Sequence, residues 1–168
     1  DCYLLESINF PKSLSQIGAM AFRGCVSLKN VEILSNCLDE DSQEAFALSG
    51  LENITLGEGV TYIPDHCFAE TKLSTLELPS TVMEIGNSAF ALCKLEKVVL
   101  NVGLITIGHQ AFASNYNLTE IAIPKTVTNI TEMAFSGCSE LKKVVFEGNA
   151  PSTYEYLDQI SGVWKPIN

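Results

Sequence analysis

The sequence predicts a mostly β repeat protein that winds as a right-handed solenoid, and three features of the chain support this. Six phenylalanines recur at spacings of 24, 22, 22, 22 and 23 residues: Phe22, Phe46, Phe68, Phe90, Phe112 and Phe135. A Leu-x-x-Φ-x-Φ ladder, in which Φ is apolar, follows each of them, and a Φ-x-x-Ile stretch precedes all but one. Periods of about 20 to 29 residues with such ladders are typical of leucine-rich-repeat solenoids.

The Leu-x-x-Φ-x-Φ stretches predict one short strand in each repeat. Their apolar residues alternate at period two, which is the pattern of a strand with one buried face. Stacked copies would form a parallel sheet with about 4.8 Å between rungs. Pro11, Pro79 and Pro124 directly follow their strands and would end them, because proline has no N–H for a ladder hydrogen bond. The stretches span residues 5–10, 28–33, 51–56, 73–78, 95–100, 118–123 and 141–146.

The Ala-Phe segments predict the opposite, convex wall. Glycine follows the isoleucine at Gly18, Gly86 and Gly108 and permits a turn there. A short helical or 3₁₀ turn should come next. Each phenylalanine should fill the interior of its coil, and an aromatic binding box is the alternative role for these rings.

Residues 34–45 depart from the repeat. The position that elsewhere holds isoleucine falls on Asp41, within an acidic run at 39–41. An unpaired carboxylate cannot lie in an apolar core, so we expect this coil to bulge outward. Three interpretations are open: a tolerated insertion, a weak cation site and a partner contact. The run lacks the spacing of a known calcium loop.

Composition and charge exclude several classes of function. Ten basic and twenty acidic residues give a formal charge of -10, which disfavours nucleic acid and anionic membranes as partners. No apolar run approaches the roughly 20 residues of a spanning helix. His66 and His109 have no repeating partner, and no nucleophile–base constellation, zinc spacing or phosphate loop is present. We therefore expect no enzyme activity, no metal and no cofactor.

The cysteines predict buried free thiols. Cys2, Cys25, Cys93 and Cys138 occupy one repeat position, where a small apolar side chain fits the core. A Cys2–Cys25 disulfide is the alternative, because the two residues lie on adjacent rungs. Cys37, in the irregular coil, should be the most reactive thiol.

The domain division is a solenoid at 1–151 and a different segment at 152–168. The chain opens in mid-repeat, which predicts a piece of a longer protein. The repeat stops after Phe146, and the tail would either cap the last coil, with Trp164 at least partly buried, or begin a linker.

The repeats resemble the BspA-like leucine-rich repeats, the type also found in treponemal surface proteins. That family's motif is roughly L-x-x-I-x-I-P-x-x-V-x-x-I-G-x-x-A-F-x-x-C. The segment LSTLELPSTVMEIGNSAFALC at 73–93 matches it throughout, and LTEIAIPKTVTNITEMAFSGC at 118–138 nearly does. The resemblance covers residues 2–151, apart from 34–45. It implies a cell-surface or secreted protein, similar to adhesins that bind host or microbial proteins, and it brings no catalytic residues.

The outward face of the sheet is the candidate binding surface, because repeat proteins usually bind along such a face. Its central column contains Asn9, Glu32, Thr55, Glu77, Val99, Ala122 and Val145. The neighbouring column contains Ser7, Asn30, Asn53, Thr75, Lys97, Glu120 and Lys143, of which the last three complete the predicted site. The face changes from polar and acidic to apolar flanked by lysine.

These columns lead to two functional hypotheses. The first is a monomeric, non-catalytic module that recognises extracellular or surface proteins, without nucleic acid or membrane insertion. The second is a structural spacer that displays another domain. An ordinary sheet surface, with valines that merely suit a strand, would fit the spacer.

Overall fold

The computed structural model describes residues 2–148, together with the backbone of 155–158 and 163–166. In these residues the fold is the predicted leucine-rich-repeat solenoid, built from strands and turns. The strands are β1 Asn30–Ile33, β2 Asn53–Leu56, β3 Tyr62–Ile63, β4 Thr75–Glu77, β5 Glu84–Ile85, β6 Lys97–Val99, β7 Thr106–Ile107, β8 Glu120–Ile123, β9 Asn129–Ile130, β10 Lys143–Phe146, β11 Glu155–Asp158 and β12 Val163–Pro166. Strands β11 and β12 pair antiparallel. The predicted burial of Trp164 lies outside the described side chains.

The first wall carries the Leu-x-x-Φ-x-Φ residues on β1, β2, β4, β6, β8 and β10. Pairing is parallel and in repeat register, so that Val31 lies beside Ile54 and Glu32 beside Thr55. The predicted alternation is confirmed, for example by the exposed-buried pattern of β1. The predicted strand at 5–10 is wrong, because these residues form no ladder with β1, the first strand of the described chain.

The first wall is not one continuous ladder. It is divided into three parallel pairs, β1–β2, β4–β6 and β8–β10. Within the first pair, Gly57 N donates to the Ile33 carbonyl at 2.9 Å. The equivalent residues after β4 and β8 are Pro79 and Pro124, which have no N–H. The sheet is therefore open at a first seam between β2 and β4 and at a second seam between β6 and β8.

The second wall is a four-stranded parallel sheet, whereas the sequence predicts only turns in this region. Strands β3, β5, β7 and β9 align Ile63, Ile85, Ile107 and Ile130 in one buried row. Glycine follows two of these isoleucines because the coils approach closely there. A Cβ on Gly108 would lie 2.7 Å from the carbonyl carbon of the glycine one coil earlier.

The third wall, called here the phenylalanine wall, consists of turns. No helix occurs in the described residues, so the helical turn expected on this wall is replaced by a different backbone. The residues two before and two after each phenylalanine have positive φ, which no helix tolerates, as in Ser88 at 52° and Leu92 at 57°. Amide bonds to the next coil stabilise this conformation, as when Phe90 N donates to Ala111 O at 2.8 Å.

The phenylalanine rings form the centre of the core, as predicted. Five of them are fully buried: Phe46, Phe68, Phe90, Phe112 and Phe135. Ring centroids of successive coils are 5.5 to 5.7 Å apart between Phe46 and Phe135, with nearly parallel planes. The rings therefore act as core residues, which leaves no room for an aromatic binding box.

The irregular coil bulges outward, as its acidic run predicts. Asp41 is exposed, and Leu38, three residues earlier, is buried in the core in its place. Ser42 closes the bulge, because its hydroxyl donates to the Ile17 carbonyl at 2.5 Å and accepts from Asp39 N at 3.1 Å. The inserted turn therefore places its carboxylates on the surface, and no charged side chain of this turn enters the core.

All six cysteines are free, and five are buried. Two predictions are corrected: Cys2 is exposed, because no earlier coil in the described residues covers it, and Cys37 is buried in the core rather than accessible. The Cys2–Cys25 disulfide is absent. Burial raises the pKa of the Cys93 and Cys138 thiols to about 11, which disfavours the reactive thiolate.

Candidate functional site

The candidate site is the sheet face, meaning the two outward columns predicted from the repeat. Every residue of both columns is exposed, including Asn9, which lies outside a strand. The pairing register places Glu77 beside Val99 and Ala122 beside Val145. The face is thus a set of side chains at fixed positions on a rigid scaffold, which suits recognition of an extended surface.

Charges on the sheet face are partly neutralised by the face itself. Lys143 Nζ lies 3.3 Å from Glu120 Oε2, so one of the two lysines that flank the apolar end of the face is paired. Within residues 2–148, Glu32, Glu77 and Lys97 form no ion pair. The described face therefore offers two unpaired carboxylates, one on β1 and one on β4, and one unpaired ammonium group on β6.

A groove of about 580 Å³ opens beside the central column at the first seam. Two predicted residues, Thr55 and Glu77, line it. The sequence did not predict that the following side chains also line it: Glu58, Ser80, Leu100, Asn101 and Val102. We call this feature the seam groove. Its lining comes from three successive coils, so it runs along the solenoid axis.

Hydrogen bonds fix the rim of the seam groove. Ser80 Oγ donates to Glu58 Oε2 at 2.6 Å. The buried Asn101 side chain donates to the carbonyls of Pro79 and Val82, the latter at 3.0 Å, and its oxygen accepts from Gly103 N at 2.7 Å. This clamp turns Val102 outward, where it is 69 % exposed. The proline after a strand is the sequence signal that could have located the groove.

A second, acidic groove of about 500 Å³ lies against the irregular coil and the second wall. Burial, and then the negative charges of Asp65, Glu84 and Glu40, raise the pKa of Tyr62 to about 12. Asp65 already accepts two hydrogen bonds from Asn87, at 2.6 and 3.0 Å. Over the described residues, no group of three or more His, Cys, Asp or Glu side chains is placed to hold a metal ion.

The two histidines lie on the phenylalanine wall, two coils apart. His66 is exposed, and His109 is half-buried. The structure does not bring them together, and neither lines the seam groove.

The repeat architecture agrees with a known family. The family described as BspA type Leucine rich repeat region matches residues 1–104 and 61–157, with six copies. The chain belongs to the BspA-type leucine-rich-repeat family. A comparison with curated proteins found no match.

Two solved structures show the same fold as this BspA-type chain. A leucine-rich repeat protein from Bacteroides ovatus is 24% identical with a TM-score of 0.77, over 94% of this chain and 42% of that one. The pneumococcal vaccine antigen PcpA is 22% identical with a TM-score of 0.61, over 86% of this chain and 45% of that one. The chain thus spans less than half the length of either protein. Among its described residues, no helix has the length and apolar character needed to cross a membrane.

Proposed function

We propose that this chain is a non-catalytic binding module, at the cell surface or outside the cell, that recognises host or microbial proteins through the sheet face. The observation that supports this most directly is that every residue of both columns is exposed and that the strands carrying most of them are held in register. Membership of the BspA-type family and the fold shared with a vaccine antigen fit a surface role.

The unpaired carboxylates suggest which partners the face attracts. Glu32 and Glu77 stand on different pairs of strands, and the chain as a whole carries a charge of -10. Such a field steers basic surfaces towards the face and repels acidic ones. The partner should therefore present lysine or arginine to this part of the sheet.

The competing function is a structural spacer. The continuous ring stack and the pairing of exposed side chains within the face, such as Asn53 Nδ2 with Asn30 Oδ1 at 2.9 Å, would serve a rigid connector equally well. A spacer needs no partner on its sheet face. The two functions therefore differ in whether the isolated chain binds anything.

The test is binding of the chain to extracellular matrix proteins and to microbial surface proteins at two salt concentrations. We expect saturable binding that weakens with salt. The double variant Glu32→Lys/Glu77→Lys should lose about ten-fold or more in affinity, because it reverses the charge of the face.

A matched control reverses two exposed carboxylates elsewhere. Glu70→Lys/Glu132→Lys makes the same change in net charge on the phenylalanine wall and should bind like the unmodified chain. Equal loss in both double variants would mean that net charge, and not the face, governs binding. No binding by the folded chain to any candidate would favour the spacer.

A further inference from the structure

We propose that the seam groove holds a lysine or arginine side chain from an extended segment of the partner protein, with an apolar residue of that segment resting on Val102. This inference depends on the proposed protein-binding function and adds the chemistry of the partner at one place. It is supported by the charges, the apolar contact surface and the open backbone of the groove.

Charge complementarity is the first support. Glu58 and Glu77 both line the seam groove, and within residues 2–148 neither has a cationic partner. Ser80 holds the Glu58 carboxylate in place through its hydroxyl at 2.6 Å and its N–H at 3.3 Å. Both glutamates are exposed, so their attraction for a bound cation is modest and weakens with salt, but the two negative charges together favour a cation at this place.

The apolar surface beside these carboxylates is the second support. Val102 is 69 % exposed because the buried Asn101 side chain fixes the turn beneath it. Leu100 and Leu78 line the groove below. Lysine and arginine carry apolar stems that pack on such surfaces while the charged group reaches a carboxylate. A neighbouring apolar side chain of the partner can cover Val102.

The open first seam is the third support. Within the β1–β2 and β8–β10 pairs the residue after the later strand donates its N–H to the coil before it, as Gly57 N does to Ile33 O and Glu147 N does to Ile123 O. At the groove that residue is Pro79, which leaves the Leu56 carbonyl without this donor. The groove spans three coils at about 4.8 Å each, which accommodates about three residues of extended chain.

The experiment titrates the isotope-labelled chain with the capped pentapeptide Gly-Val-Lys-Val-Gly and follows backbone amide signals by NMR. We expect saturable shifts centred on residues 54–58, 77–80 and 100–103, and weaker binding at high salt. Gly-Val-Glu-Val-Gly should not bind, and Gly-Ser-Lys-Ser-Gly should bind less tightly. Equal binding of the glutamate peptide would overturn the inference.

Glu77→Gln removes one groove charge and should weaken peptide binding about five-fold, as expected for a partly exposed ion pair. Glu96→Gln is the matched control, because Glu96 is exposed outside the groove. Unchanged affinity in Glu77→Gln contradicts the proposal. This variant alters no backbone bond, so misfolding does not obscure its result.

Pro79→Ala tests the seam without changing charge. It restores the missing N–H, so the first wall should close between β2 and β4 and peptide binding should fall. Pro124→Ala, at the second seam, should leave peptide binding unchanged.

The two proposals fail in distinguishable ways. In one outcome, Glu32→Lys abolishes protein binding while Glu77→Gln leaves peptide binding unchanged. This outcome would support the sheet face as the binding site and refute the proposed role of the seam groove. The absence of binding to both proteins and peptide would refute both proposals.

Discussion

At the scale of single residues, the position three after the core phenylalanine links successive coils in the coils of Phe90, Phe112 and Phe135. Asn115 Nδ2 donates to the carbonyls of Phe90 and Phe112 at 2.9 and 2.8 Å. Cys93 and Cys138, at the same position of their coils, approach the preceding coil's phenylalanine carbonyl through Sγ at 3.2 and 3.1 Å. Cysteine at this position is a small buried side chain whose thiol can donate a weak hydrogen bond. This role explains its presence without a disulfide or a metal ion.

The raised thiol pKa values predict a loss of stability at alkaline pH. In the unfolded chain a thiol ionises near pH 9, whereas Cys93 and Cys138 keep their protons to about pH 11 in the folded chain. Folding therefore favours the protonated form, so this contribution is complete below pH 9 and is lost as the pH rises to about 11. Each thiol should contribute on the order of 2 kcal/mol to the change, measured by denaturant unfolding across that range.

The control for this prediction is the double variant Cys93→Ala/Cys138→Ala. It should be less stable at pH 8, because two small cavities form, but its stability should decline less steeply between pH 9 and 11. Parallel declines in the two proteins would show that other groups cause the alkaline effect.

At the scale of elements, close approach between coils decides which residues fit the second wall. A Cβ on Gly108 would lie 2.8 Å from the carbonyl oxygens of Gly86 and Ile85, but a Cβ on Gly18 meets no atom within 4 Å. Two glycines at the same repeat position therefore differ in whether the neighbouring coil leaves space for a side chain. The first is required by packing, and the second only follows the repeat.

Gly108→Ala should therefore destabilise the chain by about 1 to 3 kcal/mol, since the coils must move apart. Gly18→Ala should be neutral or slightly stabilising, because alanine reduces the entropy of the unfolded chain. Thermal unfolding of both variants measures the difference. A similar loss in both would place the cost in the backbone conformation and not in contact between coils.

The elements show what the sequence could predict. Strand positions, the phenylalanine core and the exposed columns follow from which residues are apolar and how far apart they are. The second sheet was missed because a two-residue strand carries too little alternation to identify. The turns of the phenylalanine wall were missed because serine, leucine and glutamate rarely adopt positive φ, and here hydrogen bonds between coils compensate for it.

The seam groove was predicted only in part, for a related reason. Thr55 and Glu77 come from the periodic pattern. Glu58, Ser80 and Val102 lie in the turns after the strands. In these turns the apolar pattern does not predict which way a side chain points. Their convergence depends on the absence of an N–H at Pro79 and on the hydrogen bonds of the Asn101 side chain. Both act between coils about 22 residues apart in the sequence.

At the scale of the whole molecule, each coil contacts mainly its neighbours, so the solenoid should tolerate removal of one complete period. Deleting residues 83–104 joins Val82 to Ile105 and restores the Φ-x-x-Ile pattern. We expect a folded protein with an unchanged circular dichroism spectrum per residue and lower stability.

Deleting only residues 83–93 joins Val82 to Lys94 and puts strand residues where the second wall should follow. This half-period variant should not fold cooperatively. If both deletions unfold the chain, the coils depend on long-range contacts and not on neighbours alone.

The amides of the phenylalanine wall also give this wall an electrical direction. In every described coil-to-coil bond of this wall the N–H belongs to the earlier coil and the carbonyl to the later one, as with Phe46 and Cys67, Phe68 and Ala89, or Phe112 and Ala134. Peptide dipoles that align in this way add, whereas those of ordinary sheets largely cancel. This wall therefore carries an axial dipole with its positive pole towards the C-terminal coils, which is opposite in sense to that of an α-helix. The second wall opposes it through bonds such as that from Gly86 N to the Ile63 carbonyl.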